Sequence, residues 1–211
     1  MSKLEEIRTV VEAGRLRYVE ELIRQALTEG CSPSQILEQA MVPAMRSAGE
    51  HYKNNESDIP KILAAARCMR MGLDVLEPYI ENQDSQILGK VILGTVEGDL
   101  HDVGKNLVAI MFRSAGFQVI DLGVDVSEKQ FLRAVKENPD VSIVCLSSLL
   151  TTSMGAMRQV VRALRETKDH RMLKIMVGGG SVTREFADEI GADAYSETAV
   201  EAAELAKTFL I

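Results

Sequence analysis

The second half of this sequence alternates between two hydrophobic periods, and that alternation limits the fold more than any other feature. From residue 90 onward, short runs rich in Val, Ile and Leu are each followed by a longer segment whose apolar residues recur at three- and four-residue steps. The short runs are typical of buried strands, and the longer segments are typical of amphipathic helices. Because parallel strands need crossover helices, the pattern predicts a parallel sheet with helices on both faces.

Five such units follow one another in residues 90–211, and they predict an α/β, flavodoxin-like (Rossmann-type) five-stranded parallel sheet. The strands are predicted at Lys90–Thr95, Phe117–Asp121, Val141–Ser147, Lys174–Val177 and Ala192–Ala194. The helices are predicted near Asp102–Ala115, Ser127–Asn138, Ser153–Thr167, Val182–Ile190 and Thr198–Phe209.

Residues 1–85 carry the helical period alone. Ser32 and Pro33 have the residue types of an N-cap and of a first helical position, and a long helix is predicted to open near Ser57 and to run to about Tyr79. The helical segments predict a small four-helix bundle as a separate N-terminal domain. We expect a short linker with a boundary near residues 82–90, followed by the α/β domain over residues 90–211.

Composition argues against several classes of partner. The chain has 211 residues, a formal net charge of −7 and no tryptophan, so it lacks the basic surface and the stacking residues typical of nucleic-acid binding. No apolar stretch approaches the ~18 residues of a membrane-spanning helix. The acidic start and the widely spaced Cys31, Cys68 and Cys145 predict a cytoplasmic protein with free thiols.

One histidine stands just after the first predicted strand. Asp99 precedes His101 by two residues, and Asp102 follows it directly before a predicted helix. A carboxylate at that spacing can bind one ring nitrogen and leave the other for a metal. The alternative is a surface histidine beside two aspartates that merely cap the helix. The candidate segment comprises Gly98, Asp99, Leu100, His101, Asp102, Val103 and Gly104.

Two further loops follow predicted strands at the same edge of the sheet. The segment Ser147–Ser153 carries five hydroxyl side chains, which either cap the next helix or line a polar groove. Gly178, Gly179 and Gly180 either make a tight turn or let the backbone approach a ligand closely. Their spacing matches neither the dinucleotide-binding nor the phosphate-loop motif. One histidine beside two such loops suits a cofactor that supplies its remaining metal ligands, as a corrin ring does.

The segment from Lys90 to Val124 resembles the cobalamin domain of methionine synthase and, still more, the free-standing corrinoid proteins of methyltransferase systems. The spacing Asp-x-His-x-x-Gly carries the resemblance, which extends through the serine-rich loop, the three glycines and Gly191–Tyr195. The N-terminal helices resemble the helical cap domain of that family between Ile59 and Pro78. The resemblance therefore covers nearly the whole chain.

The resemblance implies cobalamin as the cofactor, bound base-off with His101 as the lower ligand of the cobalt. Asp99 would bind the second ring nitrogen, and Ser153 would complete a His–Asp–Ser relay. The displaced nucleotide tail would lie in a slot through the sheet. The further residues implied to bind the cofactor are Ser147, Leu149, Thr151, Gly178, Gly179, Gly180, Tyr195, Ser196 and Thr198.

One departure from the family pattern lies in the helical cap. Methionine synthase-like caps place a bulky aromatic residue where this chain has Asp58. The apolar roof over the upper face of the cobalt is therefore expected to come from Ile59, Ile62 or Met69.

The same resemblance implies a methyl carrier whose cobalt alternates between Co(I) and methyl-Co(III). A methyl-donor:corrinoid methyltransferase would load it, a second methyltransferase would pass the methyl group to tetrahydrofolate, and a reductive activase would be a third partner. Because no domain resembles the other parts of methionine synthase, the chain is expected not to be an enzyme on its own. The alternatives are a cobalamin-binding subunit of a mutase, a cobalamin-sensing regulator and a flavodoxin-like signalling domain without a cofactor.

Overall fold

The computed structural model describes residues 2–54, 59–81, 88–167 and 173–209. The chain divides into two compact units, Met1–Gln83 and Asp84–Ile211. Most of the linker expected near residues 82–90 lies outside the described residues, as does Asp58. In the described part of the chain, no helix combines the length and the hydrophobicity needed to cross a bilayer.

The first unit is helical. Its elements are α1 (Lys3–Glu12), α2 (Leu16–Thr28), α3 (Pro33–Ile36), α4 (Val42–Asn54) and α5 (Ile59–Glu81). One π-helical turn, Leu37–Met41, joins α3 directly to α4, so the described elements form four helical rods. The predicted four-helix bundle is confirmed.

The start of α3 follows from its sequence. Ser32 Oγ accepts the Gln35 N–H at 3.2 Å, Gln35 Oε1 accepts the Ser32 N–H at 2.9 Å, and Pro33 stands in the first turn. This capping box satisfies two backbone donors that a helix start leaves unpaired. Further along the same rod, Met41 packs closely on Gly72 of α5, where an added Cβ would lie 2.3 Å from Met41 Cε.

The second unit alternates strands and helices. Its described strands form one parallel sheet in the order β2-β1-β3-β4-β5, which is the flavodoxin order, so the predicted fold class is confirmed. The strands are β1 (Gly89–Thr95), β2 (Phe117–Asp121), β3 (Val141–Ser147), β4 (Lys174–Gly178) and β5 (Ala194–Ser196). The helices are α6 (Val103–Ser114), α7 (Glu128–Glu137), α8 (Met154–Glu166), α9 (Arg184–Ile190) and α10 (Ala199–Thr208), with a 3₁₀ turn at Thr151–Ser153 before α8.

The strand order reverses at β1, because β2 lies on one side of it and β3 lies on the other. Connections that leave β1 and β3 therefore run to opposite faces of the sheet and open a crevice between them at the carboxyl edge. Ligands of doubly wound sheets bind at such a switch point. The segment with His101 follows β1 and the serine-rich loop follows β3, so the fold brings both predicted loops to this crevice.

The last strand is shifted from its predicted position. β5 spans Ala194–Ser196 rather than Ala192–Ala194. Gly191 ends α9 with a φ of 78°, and the Asp193 carboxylate accepts the Ile175 N–H at 2.7 Å. Residues 192 and 193 therefore belong to the turn, and the strand begins two residues later.

One face of the sheet carries a continuous apolar core. Ile92, Val144 and Ile175 pair side by side in three neighbouring strands and are almost completely buried. Gly94 lies on the same face as Ile92, and a Cβ added to it would come within 2.8 Å of the ring of Phe131 in α7. Because Phe131 is itself fully buried, its ring has little room to move away.

We expect Gly94→Ala to lower the free energy of unfolding by about 1–3 kcal/mol, because the added methyl group overpacks the contact with Phe131. Gly155→Ala is the matched control, since an added Cβ in the first turn of α8 meets nothing within 4 Å. That variant should be neutral or more stable by up to ~1 kcal/mol. Urea titrations followed by circular dichroism measure both, and equal loss in the two variants would contradict the packing described.

Candidate functional site

A buried aspartate connects the two loops at the switch point. Asp99 is fully buried, and its Oδ1 accepts the His101 backbone N–H at 3.0 Å and lies 2.6 Å from His101 Nδ1. Its Oδ2 accepts the N–H of Leu149 at 2.6 Å and that of Leu150 at 3.3 Å. One carboxylate therefore ties the segment after β1 to the segment after β3.

The imidazole of His101 is 52% exposed, although its carboxylate partner is completely buried. Because an ionised carboxylate can only accept hydrogen bonds, the contact with Asp99 assigns the proton to Nδ1. Nε2 of the neutral ring then keeps its lone pair for a ligand. The described hydrogen bonds of the Asp99 carboxylate go to His101 and to the loop after β3, and none goes to the start of α6. Asp99 is therefore not a simple helix cap, and the ligand role of His101 stays a prediction.

The charge of Asp99 is held in place by its donors. Burial alone would raise the pKa of this carboxyl, but the N–H groups of His101 and Leu149, together with the His101 ring, hold its pKa below the ordinary value. The group therefore stays ionised at neutral pH and remains an acceptor for the imidazole.

Two residues to which the sequence analysis assigns no role support this segment. Thr95 is fully buried, and its hydroxyl donates to the His101 carbonyl oxygen at 2.9 Å. Lys105 is only 3% exposed, donates to Asn106 Oδ1 at 2.6 Å and forms an ion pair with Asp121 at the end of β2. A lysine in a first helical turn is ordinarily solvated, so only its tertiary partner reveals this role.

The serine-rich loop contains a buried pair of hydroxyls. Ser148 Oγ and Ser153 Oγ lie 2.7 Å apart, and they lie 3.1 and 2.9 Å from the Leu150 carbonyl oxygen. The N–H of Leu150 binds Asp99, so the described bonds connect Ser153 to Asp99 through this backbone unit. The Ser153 hydroxyl thus donates to a carbonyl oxygen and not to the Asp99 carboxylate, and the His–Asp–Ser relay implied by the resemblance stays a prediction. Thr151 is exposed in the turn that follows.

A row of small residues crosses the carboxyl edge of the sheet. Thr95 pairs with Ser147, Ser147 with Gly178, and Gly178 with Ser196. Residues paired in this way point to the same face of the sheet. An added Cβ at Gly178 would lie 2.9 Å from the Ser196 carbonyl oxygen, so this position tolerates only glycine. The row leaves a narrow strip of backbone and hydroxyl groups on the face opposite the apolar core.

The glycine run brings the loop after β4 against the loop after β3. Gly179 has a φ of +116°, and an added Cβ there would lie 2.1 Å from the Ser148 carbonyl oxygen. An added Cβ at Gly180 would lie 2.6 Å from a methyl group of Leu149. The Ser148 N–H also donates to the Gly178 carbonyl oxygen at 3.1 Å. The predicted serine and glycine loops are therefore in direct contact.

Two of the predicted site residues lie apart from this row. Tyr195 pairs with Val177 and packs against the apolar core on the other face, with the Arg184 guanidinium 5.4 Å from its ring centroid. Thr198 is exposed and caps α10 by accepting the Glu201 N–H at 3.1 Å. The structure therefore does not bring these two side chains together with Ser196, and their predicted contact with the cofactor stays a prediction.

Exposed apolar side chains stand in the two loops that the Asp99 carboxylate connects. Leu100 is 73% exposed, Leu149 is 47% exposed and Leu150 is 36% exposed.

Gly104 is also exposed, and an added Cβ there meets nothing within 4 Å. The other segment residues are Gly98, in the turn before Asp99, and Asp102 and Val103, at the start of α6.

The donor set fits a metal that arrives with its own ligands. In the part of the chain that the structure describes, no group of three or more His, Cys, Asp or Glu side chains could hold a metal ion. A metal at His101 Nε2 must therefore obtain its remaining ligands from elsewhere. A corrin ring supplies four equatorial nitrogens and presents a broad, partly apolar face. The free nitrogen, the leucines and the row of small residues are compatible with such a group.

Comparisons with known proteins cover both units. Two family models, each described as a B12 binding domain, match residues 89–204 and 3–77. The trimethylamine corrinoid protein 2 of Methanosarcina mazei is 42% identical over 193 residues, covering 90% of this chain and 88% of that protein. The structure of the Methanosarcina barkeri monomethylamine corrinoid protein matches 96% of both chains with a TM-score of 0.87 and 31% identity. A chain of the methanol:cobalamin methyltransferase complex from Methanosarcina barkeri matches with a TM-score of 0.55 and 25% identity, over 99% of this chain and 79% of that chain.

We expect Asp99→Asn to lower the free energy of unfolding at neutral pH by about 1–3 kcal/mol, because its amide turns a donor toward backbone N–H groups. The folded-state pKa of Asp99 lies below its unfolded value of about 3.9, so ionisation contributes stability above that pH. That contribution is lost as the pH falls through the lower, folded-state pKa. The difference between wild type and variant should therefore narrow in acid.

Unfolding titrations at neutral and acidic pH, without any cofactor, measure this difference. Asp140→Asn is the control, because Asp140 is an exposed carboxylate paired with Lys90 and should change stability little. A loss for Asp99→Asn that is the same at both pH values would contradict the assigned role of the charge.

Proposed function

This chain belongs to the family of B12-binding corrinoid proteins, and we propose that it is a methyl carrier that receives a methyl group from one methyltransferase and passes it to another. The observation that carries the proposal is the half-exposed imidazole of His101, which a buried carboxylate holds at Nδ1 between two loops that carry exposed leucines. Such a carrier is not an enzyme on its own, because its partners catalyse the two transfers.

His101 Nε2 is proposed as the lower ligand of the cobalt, in place of the dimethylbenzimidazole of the cofactor. Bound in this base-off, His-on form, cobalamin supplies a cobalt that accepts and releases a methyl group. Asp99 holds the ring at Nδ1 and makes Nε2 a better donor.

The displaced nucleotide tail is proposed to lie along the row formed by Thr95, Ser147, Gly178 and Ser196. The hydroxyls of Ser147 and Ser196 provide hydrogen-bonding groups there, and Gly178 lets a ligand approach the backbone closely. The contact between the serine and glycine loops holds this row in shape. Support for the slot comes from the register of the strands, which places small side chains at the same level in four neighbouring strands.

A methylamine is proposed as the methyl donor, through a methylamine:corrinoid methyltransferase. The support is that two matched proteins are named for trimethylamine and monomethylamine. We propose tetrahydrofolate as the acceptor, through a second methyltransferase, and a reductive activase that restores cobalt after accidental oxidation. The three cysteines are free, which is compatible with the proposed cytoplasmic location.

We expect the protein to bind hydroxocobalamin and, after one-electron reduction, to show Co(II) electron paramagnetic resonance lines split by one histidine nitrogen. Protein labelled with ¹⁵N-histidine should convert each triplet into a doublet, because the ligand nitrogen then has a different nuclear spin. His101→Ala should retain part of the binding and lose this splitting. Triplets that persist in ¹⁵N-histidine-labelled wild type would show that another group holds the cobalt. Doublets that persist in labelled His101→Ala would show the same.

We expect the reduced, loaded protein to acquire isotope from ¹³C-methyl-labelled methylamines when a methylamine:corrinoid methyltransferase is present. The label should leave the carrier when tetrahydrofolate and a second methyltransferase are added. Labelled methanol with its own methyltransferase is the parallel arm, since a methanol system is also among the matches. Labelling in the methanol arm alone would show that methanol, and not a methylamine, is the methyl donor. Labelling in neither arm would refute both donors.

A further inference from the structure

Asp125, in the loop after β2, contacts the backbone of the Asp99 segment at two points. Its Oδ1 accepts the Gly98 N–H at 2.7 Å, and its own N–H donates to the Asp99 carbonyl oxygen at 3.0 Å. The two bonds lie on either side of the Gly98–Asp99 peptide unit. Asp125 thus fixes the position from which the Asp99 carboxylate reaches His101.

The backbone of Asp125 is in an unusual conformation. Its φ is +54°, and among the described residues it is the one non-glycine residue with a positive φ. L-residues seldom adopt this region, and aspartate is among the few that tolerate it. In this conformation the carboxylate meets the Gly98 N–H and the backbone N–H meets the Asp99 carbonyl oxygen, so both groups face the Gly98–Asp99 segment. The neighbouring Val126 N–H donates to the Thr95 carbonyl oxygen at 3.0 Å, which anchors the loop to β1.

Gly98 would be poorly restrained without these bonds. It has a φ of +83°, it is exposed, and an added Cβ would meet nothing within 4 Å. Packing therefore does not fix its dihedral angles, and glycine has more backbone freedom than any other residue. Hydrogen bonds hold the turn that precedes Asp99, and the Asp125 carboxylate provides one of them.

We propose that Asp125 is a positioning residue for the lower cobalt ligand, acting on His101 through the Gly98–Asp99 backbone. The inference rests on the proposed function, because it matters to the cofactor only if His101 binds cobalt. Asp125 itself touches neither the imidazole nor the cobalt in this assignment. Its effect is to limit the directions in which Asp99 can hold Nδ1, and therefore the directions in which Nε2 can point.

The test compares Asp125→Gly with Asp125→Asn. Glycine accepts the positive φ without strain and removes the carboxylate, so the loop keeps its backbone shape but Gly98 loses its acceptor. Asparagine also tolerates the positive φ and retains an acceptor oxygen. The pair therefore separates the hydrogen bond to Gly98 from the fold of the loop.

The first measurement uses the protein without cofactor. Amide hydrogen exchange followed by nuclear magnetic resonance should show the Gly98 N–H exchanging about tenfold faster in Asp125→Gly, the factor that corresponds to the loss of one hydrogen bond of ordinary strength. Exchange at Ile92 and Val144, in the centre of the sheet, should be unchanged. Asp125→Asn should resemble wild type.

The second measurement uses Co(II)-cobalamin bound to each variant. Asp125→Gly should show a smaller fraction of cobalt with histidine-nitrogen splitting and an affinity about tenfold lower, at the lower end of what indirect partners of a ligand contribute. Asp125→Asn should keep both values. Wild type without histidine splitting would refute the proposed function itself. If wild type shows histidine splitting and Asp125→Gly shows the same splitting and the same cobalamin affinity, only the role of Asp125 is refuted. An unchanged exchange rate of the Gly98 N–H in Asp125→Gly would also refute only that role.

Discussion

The conformation of the loops at the carboxyl edge of the sheet depends on the hydrogen bonds to one buried charge, the Asp99 carboxylate. Asp99 is fully buried, and an ionised carboxylate without partners is very unfavourable there. It is satisfied by two separate loops, so both must adopt conformations that turn their N–H groups inward. The orientation of His101 follows from the same requirement, because its ring is one of the donors. A single electrostatic constraint thus fixes both the shape of the crevice and the direction of the free nitrogen.

The alternation of side chains along each strand places the row that crosses the sheet edge on the face opposite Phe131. In β1, Ile92 and Gly94 face the core that includes Phe131, and Thr95 belongs to the row that crosses the edge of the sheet. The core face is packed so closely that one added carbon meets a ring. The other face ends in hydroxyls and glycine at the same level. The fold can therefore present a narrow polar strip without opening its apolar core.

Sequence alone predicted most of the sheet because hydrophobic period is a local property. The strands β1 to β4 lie within one residue of their predicted bounds, and β5 was displaced because Asp193 binds Ile175, a contact made through tertiary structure. At the site, Asp99 and His101 were found together since they share one short segment. The roles of Asp125 and Leu150 were not predicted. Asp125 binds Gly98, which is 27 residues away in the chain, and Leu150 binds Asp99, which is 51 residues away. No local pattern records contacts at that separation.

The exposed imidazole of His101 also has a consequence for metal selectivity. Free Zn²⁺, Ni²⁺ and Cu²⁺ bind proteins tightly when several side chains converge on them, and their order of affinity differs little from one such site to another. In the described residues, no group of three or more His, Cys, Asp or Glu side chains could hold a metal ion, so His101 belongs to no such site. A metal that a macrocycle already encloses does not need several donor side chains from the protein. Under the proposed function, the lack of such a group at His101 favours a metal enclosed in a macrocycle over an aqueous ion.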